Sequence, residues 1–248
     1  MGEPEAAVYV YGIVPAARRP PAGLTGVGAP PLPVRTVTAG PLAAVVSGVP
    51  EKLRARRRDL LAHQEVLLAL LDRGPVLPMR FGMVCRDSGA LEDQLAAEEP
   101  AHLDALEEVG GRIEMNLKAL PVQDSLPELV REDPGVRRLR EEARRRPGYE
   151  ANVRLGEAVA RGLEQRAARA AAQAVGELSG LAVRTVDGPQ VPGGVRNTSF
   201  LVERGSRRRF EETAGRLAQE HGHRAELRLA GPLPCYSFVV ARTRAAGV

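Results

Sequence analysis

The chain has 248 residues, long for one core and comfortable for two domains of about 100–150 residues each. Hydrophobic residues make up 44% and charged residues 27%, an ordinary soluble balance, but aromatics are 3% with no Trp, so aliphatic side chains must fill the cores. The net charge of +4 comes almost wholly from Arg, and two cysteines, Cys85 and Cys235, are too few for a disulfide framework or a zinc site.

The opening "MGEPEAAVYVYG" has no basic region followed by an apolar one, and no apolar run approaches the roughly 18–20 residues of a membrane span. A cytoplasmic protein is expected. Val8–Val14 alternates as a strand and leads into a Pro/Gly-rich loop, Pro15–Pro33; Leu42–Ser47 gives a second strand. Glu51–Asp72 predicts an amphipathic helix with Leu53, Leu60, Leu61, Gln64, Leu67, Leu68 and Leu71 on its apolar stripe, stopped by Arg73-Gly74-Pro75.

"GPVLPMRFGMVC" (Gly74–Cys85) then reads as a strand of unusual content. Period two puts Leu77, Met79, Phe81, Met83 and Cys85 on one apolar face. Val76, Pro78, Arg80, Gly82 and Val84 form the other, with Arg80 between a proline ring and a bare glycine. Pro78 cannot donate to a ladder, which predicts an edge strand or a bulge. Arg80 is expected to be structurally critical through a buried or interface ion pair.

Ser88–Val109 predicts two short helices broken at Pro100. After Gly110-Gly111 the pattern resets. "RIEMNLKA" turns Ile113, Met115, Leu117 and Ala119 inward and Arg112, Glu114, Asn116 and Lys118 outward. A charged, Pro-marked insertion at about 120–149 carries a helix at Val136–Arg146. A long helix, Ala151–Leu178, presents the stripe Leu155, Val159, Leu163, Ala167, Ala170, Ala174 and Leu178. Strands at Leu181–Val186 and Arg196–Glu203, a helix at Ser206–His221, a strand at Arg224–Ala230 and an extended tail (about 231–248, including "GPLPCYSFVV") complete the order. The fold class is α+β in two domains: an N-terminal mixed domain, 1–110, and a C-terminal domain, 111–248, whose β-α-β-β-α-β order is ferredoxin-like.

Little points to catalysis. No nucleophile elbow, Walker loop or dinucleotide fingerprint is present, and "GLTGVGAP" sits in a Pro-laden loop with no helix behind it. His63 reads as a helix-boundary side chain with a satisfied ring nitrogen; "HGH" (His221–His223) reads as helix-termination chemistry without further metal ligands. No catalytic residue, metal or cofactor is expected. The alternative of a nucleic-acid-binding ferredoxin-like module needs aromatics on an open sheet face, and the outward positions Arg112, Glu114, Asn116, Lys118, Glu226 and Arg228 hold none. The arginine clusters at 54–58, 137–146 and 207–209 have acids nearby and read as solvated helix faces.

Five stretches in fixed order carry a resemblance: "YVYGIVPA" (Tyr9–Ala16), "AHQEVLLALLDRGPVLPMRFGMVC" (Ala62–Cys85), "RIEMNLKA" (Arg112–Ala119), "NTSFLVER" (Asn197–Arg204) and "LRLAGPLPCYSFV" (Leu227–Val239). Together they resemble the gas vesicle accessory proteins of the F and L type, the GvpF/GvpL family. Met83 and Cys85 stand where the pattern usually has Thr and an aromatic, Asn116 replaces a typical Gly, and Leu233 and Cys235 replace a more aromatic and Pro-rich tail; whether the chain is F-like or L-like stays open.

The resemblance implies a cytoplasmic, non-enzymatic assembly factor that associates with the small hydrophobic shell protein and with other accessory proteins. It also implies two domains with a modified ferredoxin fold in the C-terminal part. Strand addition at a sheet edge is the expected mode of holding an apolar, β-rich subunit. The candidate residues are Pro78, Arg80, Phe81 and Gly82 on one edge, and Tyr236 and Phe238 in the segment Tyr236–Val240 on another. No membrane and no nucleic acid are expected as partners, and the oligomeric state is not given.

Overall fold

The computed structural model describes residues 6–51 and 53–239. These fall into two compact units, one within Met1–Glu114 and Pro232–Val248, the other Met115–Gly231. Residues 232–239 therefore group with the N-terminal part, although the sequence reading puts the tail in the C-terminal domain.

The first unit is built on a sheet in which β1 (Val8–Pro15) is central. Its run Val-Tyr-Val-Tyr-Gly-Ile-Val is buried on both faces, as a strand covered from two sides must be. β2 (Arg35–Ala39) and β3 (Leu42–Gly48) form a hairpin through Gly40-Pro41, and β3 pairs antiparallel with β1. The sequence reading has no strand at β2, whose short "RTVTA" offers only one apolar residue, Val37, for burial. The Pro/Gly-rich loop folds back so that the Val27 N–H donates to the Tyr11 hydroxyl at 2.8 Å, and Tyr11 in turn lies 3.0 Å from Ser47 Oγ. The loop that its Pro and Gly content indicated is thus tied to the core by these bonds.

α1 (Arg57–Leu71) begins later than expected and buries a face rotated from the expected stripe, keeping Leu67 and Leu71 but not Leu60, Leu61 or Gln64. Asp59, His63, Val66, Leu67, Leu70 and Leu71 point inward, while Leu60 and Leu61 are 43% and 45% exposed. The core that α1 covers offers hydroxyl and carbonyl partners, so a histidine occupies it in place of the leucines.

The stretch after α1 is an edge, as Pro78 indicated, but it is not one strand. β4 (Leu77–Pro78) pairs with Gly12 and Ile13, and β5 (Val84–Cys85) pairs with Val8 and Tyr9 of the same β1. Between them the chain turns outward, with Gly82 at φ +87°, a conformation glycine adopts at little cost. The turn breaks the alternation, so Met83 is exposed where a continuous strand would have buried it.

α2 (Ser88–Ala97) and α3 (Glu99–Val109) follow. Asp87 caps α2 by accepting the Ala90 N–H at 2.7 Å, a bond that also holds its carboxyl below the usual range. Pro100 lies in the first turn of α3, where its missing N–H costs nothing.

The second unit carries the sheet β7-β8-β6-β9. Its strands are β6 (Arg112–Pro121), β7 (Arg184–Asp187), β8 (Arg196–Glu203) and β9 (Ala225–Leu233). Ile113, Met115, Leu117 and Ala119 of β6 are buried, as the alternation requires. The amide of Asn116 donates to Asn197 Oδ1 at 2.9 Å and to Ser199 Oγ at 3.1 Å, fixing β6 to β8.

Between β6 and β7 run α4 (Leu126–Glu132), α5 (Pro134–Arg145) and the long α6 (Tyr149–Ser179). Leu129, Val136 and Leu163 form a small core that ties α4 and α5 to α6, with Leu155 and Val159 packed against it. Arg166, buried on α6, donates to the Ser125 carbonyl at 3.1 Å and pairs with Glu132 at 3.3 Å. Farther along, Ala167, Ala170 and Ala174 meet the sheet, their small side chains permitting close approach. α7 (Arg207–His221) buries Phe210, Ala214 and Leu217, with the Phe210 ring 5.2 Å from that of Phe200 on β8. The fold is mixed α+β with two antiparallel sheets.

Candidate functional site

A bulge in β1 between Val10 and Gly12 sets the geometry of the edge. Gly12 has no side chain where β4 crosses it: a Cβ there would stand 2.8 Å from the Leu77 carbonyl oxygen. This close approach lets the edge lie against β1 and places the Arg80–Gly82 turn above the core. The Tyr11 carbonyl accepts the Met79 N–H at 2.8 Å, and the Met83 carbonyl accepts the Val10 N–H at 2.9 Å, so the turn is held at both ends.

Beneath the turn lies His63. Its Nδ1 is 2.8 Å from the Tyr9 hydroxyl, and its Nε2 is 3.0 Å from the Met79 carbonyl oxygen and 3.2 Å from the Tyr236 hydroxyl. The partners fix the tautomer. The Met79 carbonyl can only accept, so Nε2 carries the proton; Tyr9 accepts the Gly82 N–H at 3.2 Å and spends its own proton on Nδ1. Burial lowers the His63 pKa and so keeps the ring neutral, the state this pattern needs. Burial also raises the Tyr9 and Tyr11 hydroxyls, which therefore remain donors.

Three of the four tyrosines of this aromatic-poor chain thus meet one histidine or its ring neighbours. The Phe81 ring packs edge-on, 5.8 Å from His63 and 6.1 Å from Tyr9.

The C-terminal segment closes the cluster. Residues 236–239 form a helical turn with Cys235 and Phe238 buried. Glu114 receives it: the Ser237 N–H and Oγ–H donate to the carboxylate at 2.9 and 2.7 Å. Glu114 is accordingly 4% exposed, although alternation along β6 marks it as outward. The Tyr236 pKa is pushed up to about 12, first by burial and then by the nearby negative charge of Glu114.

The six candidate residues divide clearly. Phe81, Gly82 and Tyr236 converge on the His63 cluster, Pro78 pairs with Gly12 on the edge strand, and Phe238 is buried in the turn that carries Tyr236. Arg80 does not join them. Its side chain is exposed and has no ion-pair partner among the described residues, so the expected buried pair is absent there. Tyr236–Val240 is not a sheet edge, because residues 236–239 coil into a helical turn; Val240 itself lies outside the described residues. His63, Tyr9, Gly12 and Glu114 were not candidates in the sequence reading, which took His63 as a helix-boundary side chain with a satisfied ring nitrogen, as it is, and Glu114 as outward-facing, which it is not. An apolar-strand tyrosine with a histidine on a helix predicted to pack against it was the available signal for two of them.

Chemically the cluster is a lock. Its hydroxyls are held protonated, its histidine neutral, and each polar atom of the ring is engaged. Among the described residues no group of three or more His, Cys, Asp or Glu could hold a metal ion. A groove on the second unit, lined by Pro121, Val122, Ala218, Gly222 and Leu227, is open, and its carboxylate Glu226 is already held by a two-point bond from Arg228. Three of the arginines of α7 are likewise engaged, Arg207 with Glu211, Arg208 with Glu212 and Arg216 with Glu220. No helix among the described residues is long and apolar enough to cross a membrane.

Residues 7–240 match the model of the family "Gas vesicle synthesis protein GvpL/GvpF". The chain is 39% identical over 235 residues to a gas vesicle protein F of a Streptomyces species, covering 93% of this chain and 98% of that one. It is 31% identical over 262 residues to a gas vesicle protein L of the same organism, with 93% and 91% covered. The crystal structure of GvpF from an Anabaena species superimposes with a TM-score of 0.77 at 21% identity, covering 95% of this chain and 98% of that one. GvpF from Microcystis aeruginosa gives 0.73 at 21% identity, covering 94% and 99%. The motifs around Tyr9, Pro78–Gly82, Asn197 and Tyr236 thus belong to one continuous likeness, and the chain is a member of the GvpL/GvpF family of gas vesicle synthesis proteins, with a role in gas vesicle assembly.

Proposed function

We propose that this protein is a non-enzymatic accessory factor that holds the small hydrophobic shell protein in the cytoplasm and hands it to the growing vesicle together with other accessory proteins. The observation that carries this reading is the edge at 77–85. It is the outer strand of the first sheet, interrupted by a turn, and it presents Met83 and Val84 at 46% and 41% exposure. A short interrupted edge resists pairing with copies of itself, yet it offers backbone groups and apolar side chains to an extended client segment. The His63 cluster supports the edge from below, so a client would add to a fixed template.

The second unit is read as a ferredoxin-like domain. Support comes from its β-α-β-β-α-β order and from the strand order β7-β8-β6-β9, which puts the first and third of its strands in the middle.

Met83→Lys with Val84→Glu tests the edge, because both side chains are exposed and their exchange leaves the core untouched. Co-purification of tagged shell protein with wild type but not with this folded variant is expected. Equal capture by both would remove the edge from the reading.

A further inference from the structure

The net charge of the chain is unevenly placed. Between 134 and 146 stand six arginines against two glutamates, an excess as large as that of the whole molecule. On α5, Val136 and Ala143 are buried, Val136 against Leu163 of α6, and Glu141 and Glu142 are exposed with Arg138 and Arg145. Arg137, Arg140 and Arg144, spaced i, i+3 and i+7, line a separate row. All three are exposed, and none has an ion-pair partner among the described residues. The contrast with α7 is direct, since there Arg207, Arg208 and Arg216 each find a glutamate one turn on.

The opposite pattern lies on α2 and α3. From 87 to 111 the chain has eight carboxylates and no Lys or Arg. On α3, Ala105, Leu106 and Val109 face the core. Asp104 and Glu107 point away, exposed and without partners among the described residues, beside Leu103, which is partly exposed. Their i, i+3 spacing repeats that of Arg137 and Arg140, so an acidic pair and a basic pair of equal pitch sit on two helices of one chain.

We infer that the α5 row docks on the α3 row of a second copy, giving head-to-tail association. The two rows are different patches, so the contact is heterologous, and each bound copy leaves one row of either sign free for the next. Charge complementarity selects this occupant. The α3 row offers two carboxylates at the pitch of Arg137 and Arg140, and the stretch 87–111 holds no Lys or Arg that would repel the arginines.

The test is a charge exchange followed by sedimentation. The first variant carries R137E, R140E and R144E; the second carries D104R and E107R. All five side chains are exposed and unpaired among the described residues, and circular dichroism checks that both variants fold. Wild type is expected to sediment as concentration-dependent oligomers at about 0.1 M salt. It should shift to monomer near 1 M, as the screening length falls from ~10 to ~3 Å. Each variant alone should associate ~10-fold or more weakly, because its two rows now repel. An equimolar mixture of the two should regain association, since each variant supplies the row the other lacks. Wild type that stays monomeric at all concentrations and salts, or a mixture no more associated than its components, would overturn the inference. Monomeric wild type that binds duplex DNA or anionic vesicles through Arg137, Arg140 and Arg144 would overturn it as well, by putting a different occupant on the row.

Discussion

Tyr9→Phe removes one oxygen atom and leaves the ring, which still packs 4.8 Å from Tyr11 and 6.1 Å from Phe81. That oxygen accepts the Gly82 N–H at 3.2 Å and donates to His63 Nδ1 at 2.8 Å. Two neutral hydrogen bonds contribute about 1 kcal/mol each, and stranding the buried Nδ1 acceptor costs about 1–3 kcal/mol in its place. The expected destabilisation is about 2–4 kcal/mol. For a chain of this size that lowers Tm by ~4–16 °C. Calorimetry on wild type, Tyr9→Phe, His63→Leu and the double variant completes a cycle whose coupling energy should exceed ~0.5 kcal/mol. A Tyr9→Phe protein that melts within ~1 °C of wild type would refute the network, and so would full additivity.

Acid should weaken the fold through histidine. Burial holds His63 and His102 below the ordinary 6.5, so between that value and their native pKa the unfolded chain carries protons the native one refuses. Stability is then flat above about pH 6.5 and falls below it by up to ~1.4 kcal/mol per pH unit for each group; urea titrations across this window should show the slope, and His63→Leu should remove its share. Gly12→Ala forces a Cβ to 2.8 Å from the Leu77 oxygen and 2.9 Å from Val76 Cγ2, and should cost about 1–3 kcal/mol with faster amide exchange at Met79; unchanged stability would show that the edge yields freely. Glu114→Gln weakens the charged pair of bonds to Ser237, worth about 1.5–3 kcal/mol each, and should speed exchange of the Ser237 amide and chymotryptic cleavage at Tyr236 by ~10-fold or more. Cleavage at the wild-type rate would mean that the turn is held elsewhere.

What could be read in advance follows the reach of each signal. β6 was legible because period-two burial is a local property, and Ile113, Met115 and Leu117 obey it; β8 is buried without a break from Thr198 to Val202. α1 was legible as a helix but not in its facing. Leu60 and Leu61 look like core residues until the hydroxyl of Tyr9, 54 positions from His63, makes the histidine side the better fit. Glu114 shows the same limit more strongly, since its partner Ser237 lies 123 positions away. The tail misled for another reason. "GPLPCYSFV" reads as extended, yet two of the residues it buries, Cys235 and Phe238, stand three apart, a helical spacing that was visible in the letters. At 77–85 Pro78 marked an edge, whereas Gly82, read as part of one continuous strand, sits in the turn that splits it. The resemblance reached the family; its local signals could not place His63.

The bond between Glu114 and Ser237 also sets an order of events on the ribosome. The residues from Met115 to Gly231 are contiguous and can assemble as they emerge, while the earlier half waits for a closing piece 123 positions downstream of Glu114. At ~5–20 residues per second, the 123-position gap amounts to roughly 6–25 s of an unsealed N-terminal sheet. The cluster over His63 is therefore completed only once residues 236–239 have been made, and a chain stopped before them lacks both the Tyr236 hydroxyl and the Ser237 bonds to Glu114.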